Sequence, residues 1–146
     1  MFKNYLKKKL LIKSECTMKK NFTSTTTIFD KIISKEIKSD IIYEDDEVLA
    51  FKDINPVSPI HILIIPKIKD GLSGISQAEE KNIKTLGILL LTAKKLGDKL
   101  NVKDGYRLVI NEGKHAGQTV NHLHIHFLAG KQFGWPPGTE TSNIKF

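Results

Sequence analysis

Several features are scarce in this 146-residue sequence. Its one cysteine, Cys16, excludes an internal disulfide and a cysteine-rich zinc site. Its one arginine, Arg107, leaves little of the residue type that usually reads base edges and forks onto phosphate. No apolar run approaches the ~18 residues of a membrane span. The longest apolar stretch near the start, Leu10-Leu11-Ile12, is too short for a secretory core, so the Asn21-Phe22-Thr23 sequon lacks a secretory context.

What is plentiful is lysine, and it is unevenly placed. Residues 1–20 hold seven lysines (Lys3, Lys7, Lys8, Lys9, Lys13, Lys19, Lys20) against Glu15, so they carry +6 of the net charge of +7. The rest is nearly neutral, which argues against a nucleic-acid-binding face and against membrane attachment of the folded part. Residues 1–27 read as an extension with a Ser/Thr run, Thr23 to Thr27. They are either a disordered tail, with Met18 an alternative start, or an organelle-targeting segment. The expected location is cytoplasmic and also nuclear, or mitochondrial or another organelle if the extension is a targeting signal.

From Ile28 the pattern is that of one compact domain. Ile28 to Ile33 reads as a short helix. Ile41–Tyr43 and Val48–Phe51 read as strands about the acidic turn Glu44–Glu47. After the two-proline turn Asn55–Pro59 comes the strand Ile60–Ile65, ended by Pro66. Ser76 to Leu100 predicts one long helix, capped by Ser76 with Glu79, with Ile83, Leu86, Leu90, Ala93 and Leu100 on its buried face. Strands follow at Tyr106–Ile110 and Val120–Leu128, with the polar loop Asn111–Thr119 between them. The predicted class is α+β, a five-stranded antiparallel meander with one long and one short helix.

The last strand carries the chemistry. It reads His122-Leu123-His124-Ile125-His126-Phe127-Leu128. Alternate side chains of a strand share a face, so His122, His124 and His126 line one side and Leu123, Ile125 and Phe127 the other, where the long helix is the expected cover. Three readings stand: a solvated polar face, a metal site to which His61 adds a ligand, or nucleophilic catalysis in which imidazole attacks phosphorus. Periodicity does not choose between the last two.

The segment resembles the His-φ-His-φ-His-φ-φ signature (φ apolar) of the histidine triad nucleotide hydrolases and transferases. Ile28–Ile33, Tyr43–Asp46, Ala50–Pro56, His61–Lys67, Asn111-Glu112-Gly113, Gly117-Gln118-Thr119 and Trp135-Pro136-Pro137-Gly138 look like the Hint branch. The resemblance runs over 28–138, the expected domain, and leaves 139–146 as a tail. It implies hydrolysis of the P–N bond in an AMP–amine conjugate, with no cofactor or metal. His124 is then the nucleophile, the His122 carbonyl holds its other nitrogen, His126 bonds phosphate or leaving group, and His61 and Thr119 complete the catalytic set. It further implies a base pocket of Phe29, Ile32, Phe51 and Ile54, ribose binding by Asp53, and phosphate contacts from Asn111, Gly117, Gln118 and Thr119. Trp135 is expected at the leaving-group side across a homodimer built on the long helix and the strand near Tyr106. The alternatives are a purine-nucleotide-binding scaffold with little turnover and a zinc protein. Two departures stand out. Thr119 occupies a position where serine is frequent, and Pro66-Lys67 is not followed by the histidine that many such sequences carry, so no proton-relay role for that histidine transfers here.

Overall fold

The computed structural model describes residues 26–137. The extension up to residue 25, Met18 within it, and the tail from Gly138 lie outside the described residues. The chain forms α1 (Ile28–Ile33), β1 (Ile41–Glu44), β2 (Val48–Lys52), β3 (Ile60–Pro66), α2 (Ile83–Lys99), β4 (Tyr106–Val109) and β5 (Ile125–Ala129). The five strands make one antiparallel sheet in the order β1-β2-β3-β5-β4. The last hairpin is thus turned over: β5 lies inside, between β3 and β4, and β4 forms an edge.

The inner strands β2, β3 and β5 bury both faces because the sheet has a helix on each side. Val48, Ala50, Ile62, Ile64, Leu123, Ile125 and Phe127 pack with Leu89, Ala93 and Leu96 of α2. On the opposite face Leu49, Phe51, Leu63 and Ile65 pack with Phe29 and Ile32 of α1. Leu123, Ile125 and Phe127 therefore do meet the long helix as expected.

The long helix itself departs from expectation in two ways. It begins at Ile83, and residues 75–77 and 80–82 form separate 3-10 turns. The Ser76–Glu79 cap does not form, because the Ser76 N–H and hydroxyl both donate to the Glu112 carboxylate, at 3.2 and 2.7 Å. A box between Glu79 and Asn82 replaces it. The buried stripe is also rotated. Leu89, Thr92, Ala93, Leu96 and Gly97 are buried, whereas Ile83 and Leu90 are 68% and 52% exposed. Gly97 belongs to this stripe because the Tyr106 ring packs there: a Cβ at Gly97 would lie 2.8 Å from Tyr106 Cε1.

Strand β5 starts at Ile125, not Val120. The backbone before it is used elsewhere: the His122 N–H donates to the Val120 carbonyl at 2.9 Å, and the Leu123 N–H to the Leu72 carbonyl at 2.8 Å. This irregular approach, not a continuous ladder, carries His122 and His124. Among the described residues no helix is long and apolar enough to cross a membrane.

Candidate active site

Three histidines on the α1 side of the sheet have their ring nitrogens assigned by partners that can play only one role. The His124 Nδ1 lies 2.7 Å from the His122 carbonyl. A carbonyl only accepts, so the neutral ring carries its proton on Nδ1 and its lone pair on Nε2. His122 Nε2 lies 2.9 Å from the Pro66 carbonyl, so His122 is protonated at Nε2. His61 Nδ1 accepts from the Val57 N–H at 3.2 Å, which places the His61 proton on Nε2. That nitrogen is 2.9 Å from His126 Nδ1 and 3.4 Å from Asp53 Oδ2. His61 therefore donates to His126, and the His126 proton is left on Nε2; Asn111 Nδ2 lies 3.5 Å away and, being a donor itself, does not bond that N–H. The site thus pairs an unprotonated nitrogen on His124 with an N–H on His126, in rings whose centroids are 5.0 Å apart.

Burial enforces neutrality. The His126 pKa is pushed down to about 4, by burial first and then by positive charge on His124 and His61. The His122 pKa is lowered by burial, against the opposing pull of the Pro66 carbonyl and Asp30. The His61 pKa is lowered by burial, with Asp53 acting against it. The Asn55 backbone also lies beside the His61 ring and favours its charged form, but the hydrogen bond of proper geometry at Nδ1 comes from Val57.

His124 and His126 line a cavity of about 300 Å³ with Phe29, Ile32, Phe51, Asp53, Ile54 and Thr119. Phe29 and Phe51 meet edge to face at 5.6 Å, and Phe29 also meets His124 at 5.3 Å, so one aromatic ring joins the apolar wall to the triad. His61 stands behind His126, and His122 behind His124. The structure adds Lys38, Ser39, Lys52 and Leu63 to the lining. Nothing in their spacing announces this, since they converge only when β1, β2 and β3 pair.

The remaining anticipated residues do not line this cavity. Gln118 clasps the loop before the triad: its Oε1 accepts from Gly113 N at 2.9 Å and its Nε2 donates to Ser73 O and Val120 O at 2.6 and 3.1 Å. Gly117, at φ +79°, makes the left-handed turn that glycine permits beside that clasp. Trp135 is 86% exposed. Asp30 belongs to no site motif of the sequence. It caps α1 through Thr27 and also approaches His122, and only the first of these is legible as Thr-x-x-Asp.

A profile of the HIT domain matches residues 34–133 of the chain. The chain belongs to the HIT domain family. This HIT chain is 58% identical over 112 residues to a maize protein named 14 kDa zinc-binding protein, covering 77% of this chain and 88% of the maize one. It is 53% identical over 116 residues to the Arabidopsis thaliana protein named adenylylsulfatase HINT1, covering 80% and 79%. Among solved structures, a HIT family hydrolase from Legionella pneumophila superposes with a TM-score of 0.74 at 40% identity, covering 77% of this chain and all of that one. A histidine triad nucleotide-binding protein from Candida albicans gives 0.63 at 30% identity, covering 79% and 86%.

The maize name raises zinc. Asp53, His61 and His126 bring ligand atoms within 4.8 Å of one another. They do not fit a resident zinc ion. A histidine that ligates through Nε2 donates its Nδ1–H to an acceptor, but His61 Nδ1 meets the Val57 N–H, and its Nε2 proton occupies the 2.9 Å gap to His126. Within the trio His61 hydrogen-bonds His126, and the Asp53 carboxylate stands 3.4 Å from the same His61 nitrogen.

Proposed function

We propose that this HIT protein is a purine nucleoside phosphoramidase. The observation that carries the reading is the pairing of His124 and His126: a buried imidazole whose Nδ1–H is tied to a carbonyl at 2.7 Å, beside a second imidazole that is neutral. His124 Nε2 attacks the α-phosphorus of an AMP–amine conjugate. The P–N bond breaks and the amine departs with a proton taken from solvent, while the His126 Nε2–H hydrogen-bonds a phosphoryl oxygen. Water then attacks the nucleotidyl-histidine, its P–N bond breaks, and AMP and His124 are regenerated. The apolar cavity walls, Phe29, Ile32 and Phe51, suit a purine. Asp53, whose Oδ1 accepts from Asn55 N at 2.8 Å, keeps a carboxylate where ribose hydroxyls would bond it.

The name of the Arabidopsis relative points to a second leaving group, sulfate on AMP. The same nucleophile serves both, so the test is a panel: AMP amides and adenylyl sulfate, each with wild type and His124→Ala. Turnover of the amides lost in the variant supports the reading. AMP binding without turnover of any member favours the scaffold alternative.

We further infer a homodimer. Leu90 and Leu91 are 52% and 54% exposed on α2, Ile110 is 39% exposed beside the β4 edge, and Leu86, Leu90 and Ile110 border an apolar hollow. A second copy covers this surface and brings Trp135 toward the partner's cavity. The proposed location is the cytoplasm and nucleus, with residues 1–27 as the segment that would redirect it.

A further inference from the structure

His122 has a buried nitrogen without a partner. The ring is fully buried, its Nε2 is bonded to the Pro66 carbonyl, and its Nδ1 makes no hydrogen bond. An unmade bond on a buried polar atom is costly. The atom that faces it is Asp30 Oδ1, at 3.7 Å. The other carboxylate oxygen of Asp30 is already engaged, accepting the Thr27 N–H at 2.6 Å and hydroxyl at 2.7 Å. Two lone pairs thus face each other across a gap slightly too long for a hydrogen bond. Only a proton makes that contact favourable.

We propose that Asp30 and His122 are a proton-accepting pair: when an anionic phosphate enters the cavity beside His124, His122 Nδ1 takes a proton from solvent and donates it in a hydrogen bond to Asp30 Oδ1. The pair rests on the functional reading above, because the anion is the substrate phosphate. The charged groups around the ring fit this role. Asp30 favours the imidazolium, while Lys69 and His124 oppose it along with burial, so the free protein holds His122 neutral. Asp30 is ionised: burial works against its charge, but the hydrogen bonds from Thr27 outweigh it and hold the carboxyl below its ordinary range. An arriving phosphate adds negative potential next to His124 and tips the balance. The consequence is a positive ring directly behind the nucleophile, whose carbonyl holds the His124 Nδ1–H. Asp30 is then a positioning residue that acts through His122, and α1 ties the base pocket (Phe29, Ile32) to the triad.

The test uses the full chain and AMP as probe. Calorimetry in buffers of different ionisation enthalpy counts protons taken up on binding. Wild type takes up protons near neutral pH, and Asp30→Asn, which keeps an oxygen for the Thr27 N–H, loses most of that uptake. Thr27→Val weakens the cap but leaves the carboxylate. It lowers the melting temperature and keeps the uptake. Equal uptake in wild type and Asp30→Asn overturns the pair. If wild type binds no AMP, the functional reading fails, and nitrogen NMR of the free protein still decides the pair. His122 Nδ1 gains its proton at higher pH in wild type than in Asp30→Asn if the pair exists, and coincident titrations refute it.

Discussion

The two faces of the sheet are built from the same strands and do different work. On the α2 side, Ile62, Ile64, Ile125 and Phe127 meet Leu89, Ala93 and Leu96 in a closed apolar layer. On the α1 side, a helix of six residues covers Phe51, Leu63 and Ile65 but cannot reach across the sheet. The uncovered part is the cavity, and its polar floor is the histidine segment. Alternation along 123–127 puts stability on one side and chemistry on the other, so the two can be broken separately.

The sharpest separation is expected on the histidine face. His124→Ala should lower turnover of an AMP amide by about a thousandfold or more, with AMP affinity and melting temperature near wild type. On the opposite face, Leu96→Ala should cost about 2–5 kcal/mol of stability, read by denaturant unfolding, while the fraction that remains folded turns over normally. Gly97→Ala sets a Cβ 2.8 Å from the Tyr106 ring and should cost about 1–3 kcal/mol through overpacking, again without changing the rate of folded protein. Equal catalytic losses in all three variants would erase the distinction between the faces.

Acid should weaken the histidine face selectively. The folded pKa of His126 is lowered from its ordinary 6.5 to about 4 by burial and then by His124 and His61. Between those values the unfolded chain binds more protons than the folded one, so stability falls as pH drops through that window. Unfolding midpoints measured from neutral pH down to about 4 should decline less for His126→Gln, which cannot titrate. The smallest effect concerns the extension: deletion of residues 1–20 should leave turnover unchanged and alter location alone, as read by assay and by imaging of a tagged chain.

Much of this was legible because it is local. The triad, the strands about Glu44–Glu47, and the apolar side of 123–127 follow from period and turn chemistry. What was not legible depends on partners distant in sequence. Ser76 looks like a helix cap until Glu112 takes its N–H and hydroxyl. Leu90 looks like core, yet it is 52% exposed because the helix turns Gly97 toward the Tyr106 ring. Val120 to His124 continue a strand pattern, but their backbone groups are drawn to Leu72 and to the His124 ring. Gln118 is expected near phosphate, but nothing in its spacing shows that its side chain bonds Ser73, Gly113 and Val120. Asp30 and His122 share no motif and meet only because α1 packs on that face.

The central claim is that His124 Nε2 forms a bond to phosphorus. Rapid acid-free quenching of wild type with an AMP amide, followed by peptide mass spectrometry, measures it directly. The account predicts an adenylyl group on the peptide holding residues 122–126, localised to His124 and absent in His124→Ala. An adduct on His122 or His126, or an amide turned over by His124→Ala at the wild-type rate, would contradict it.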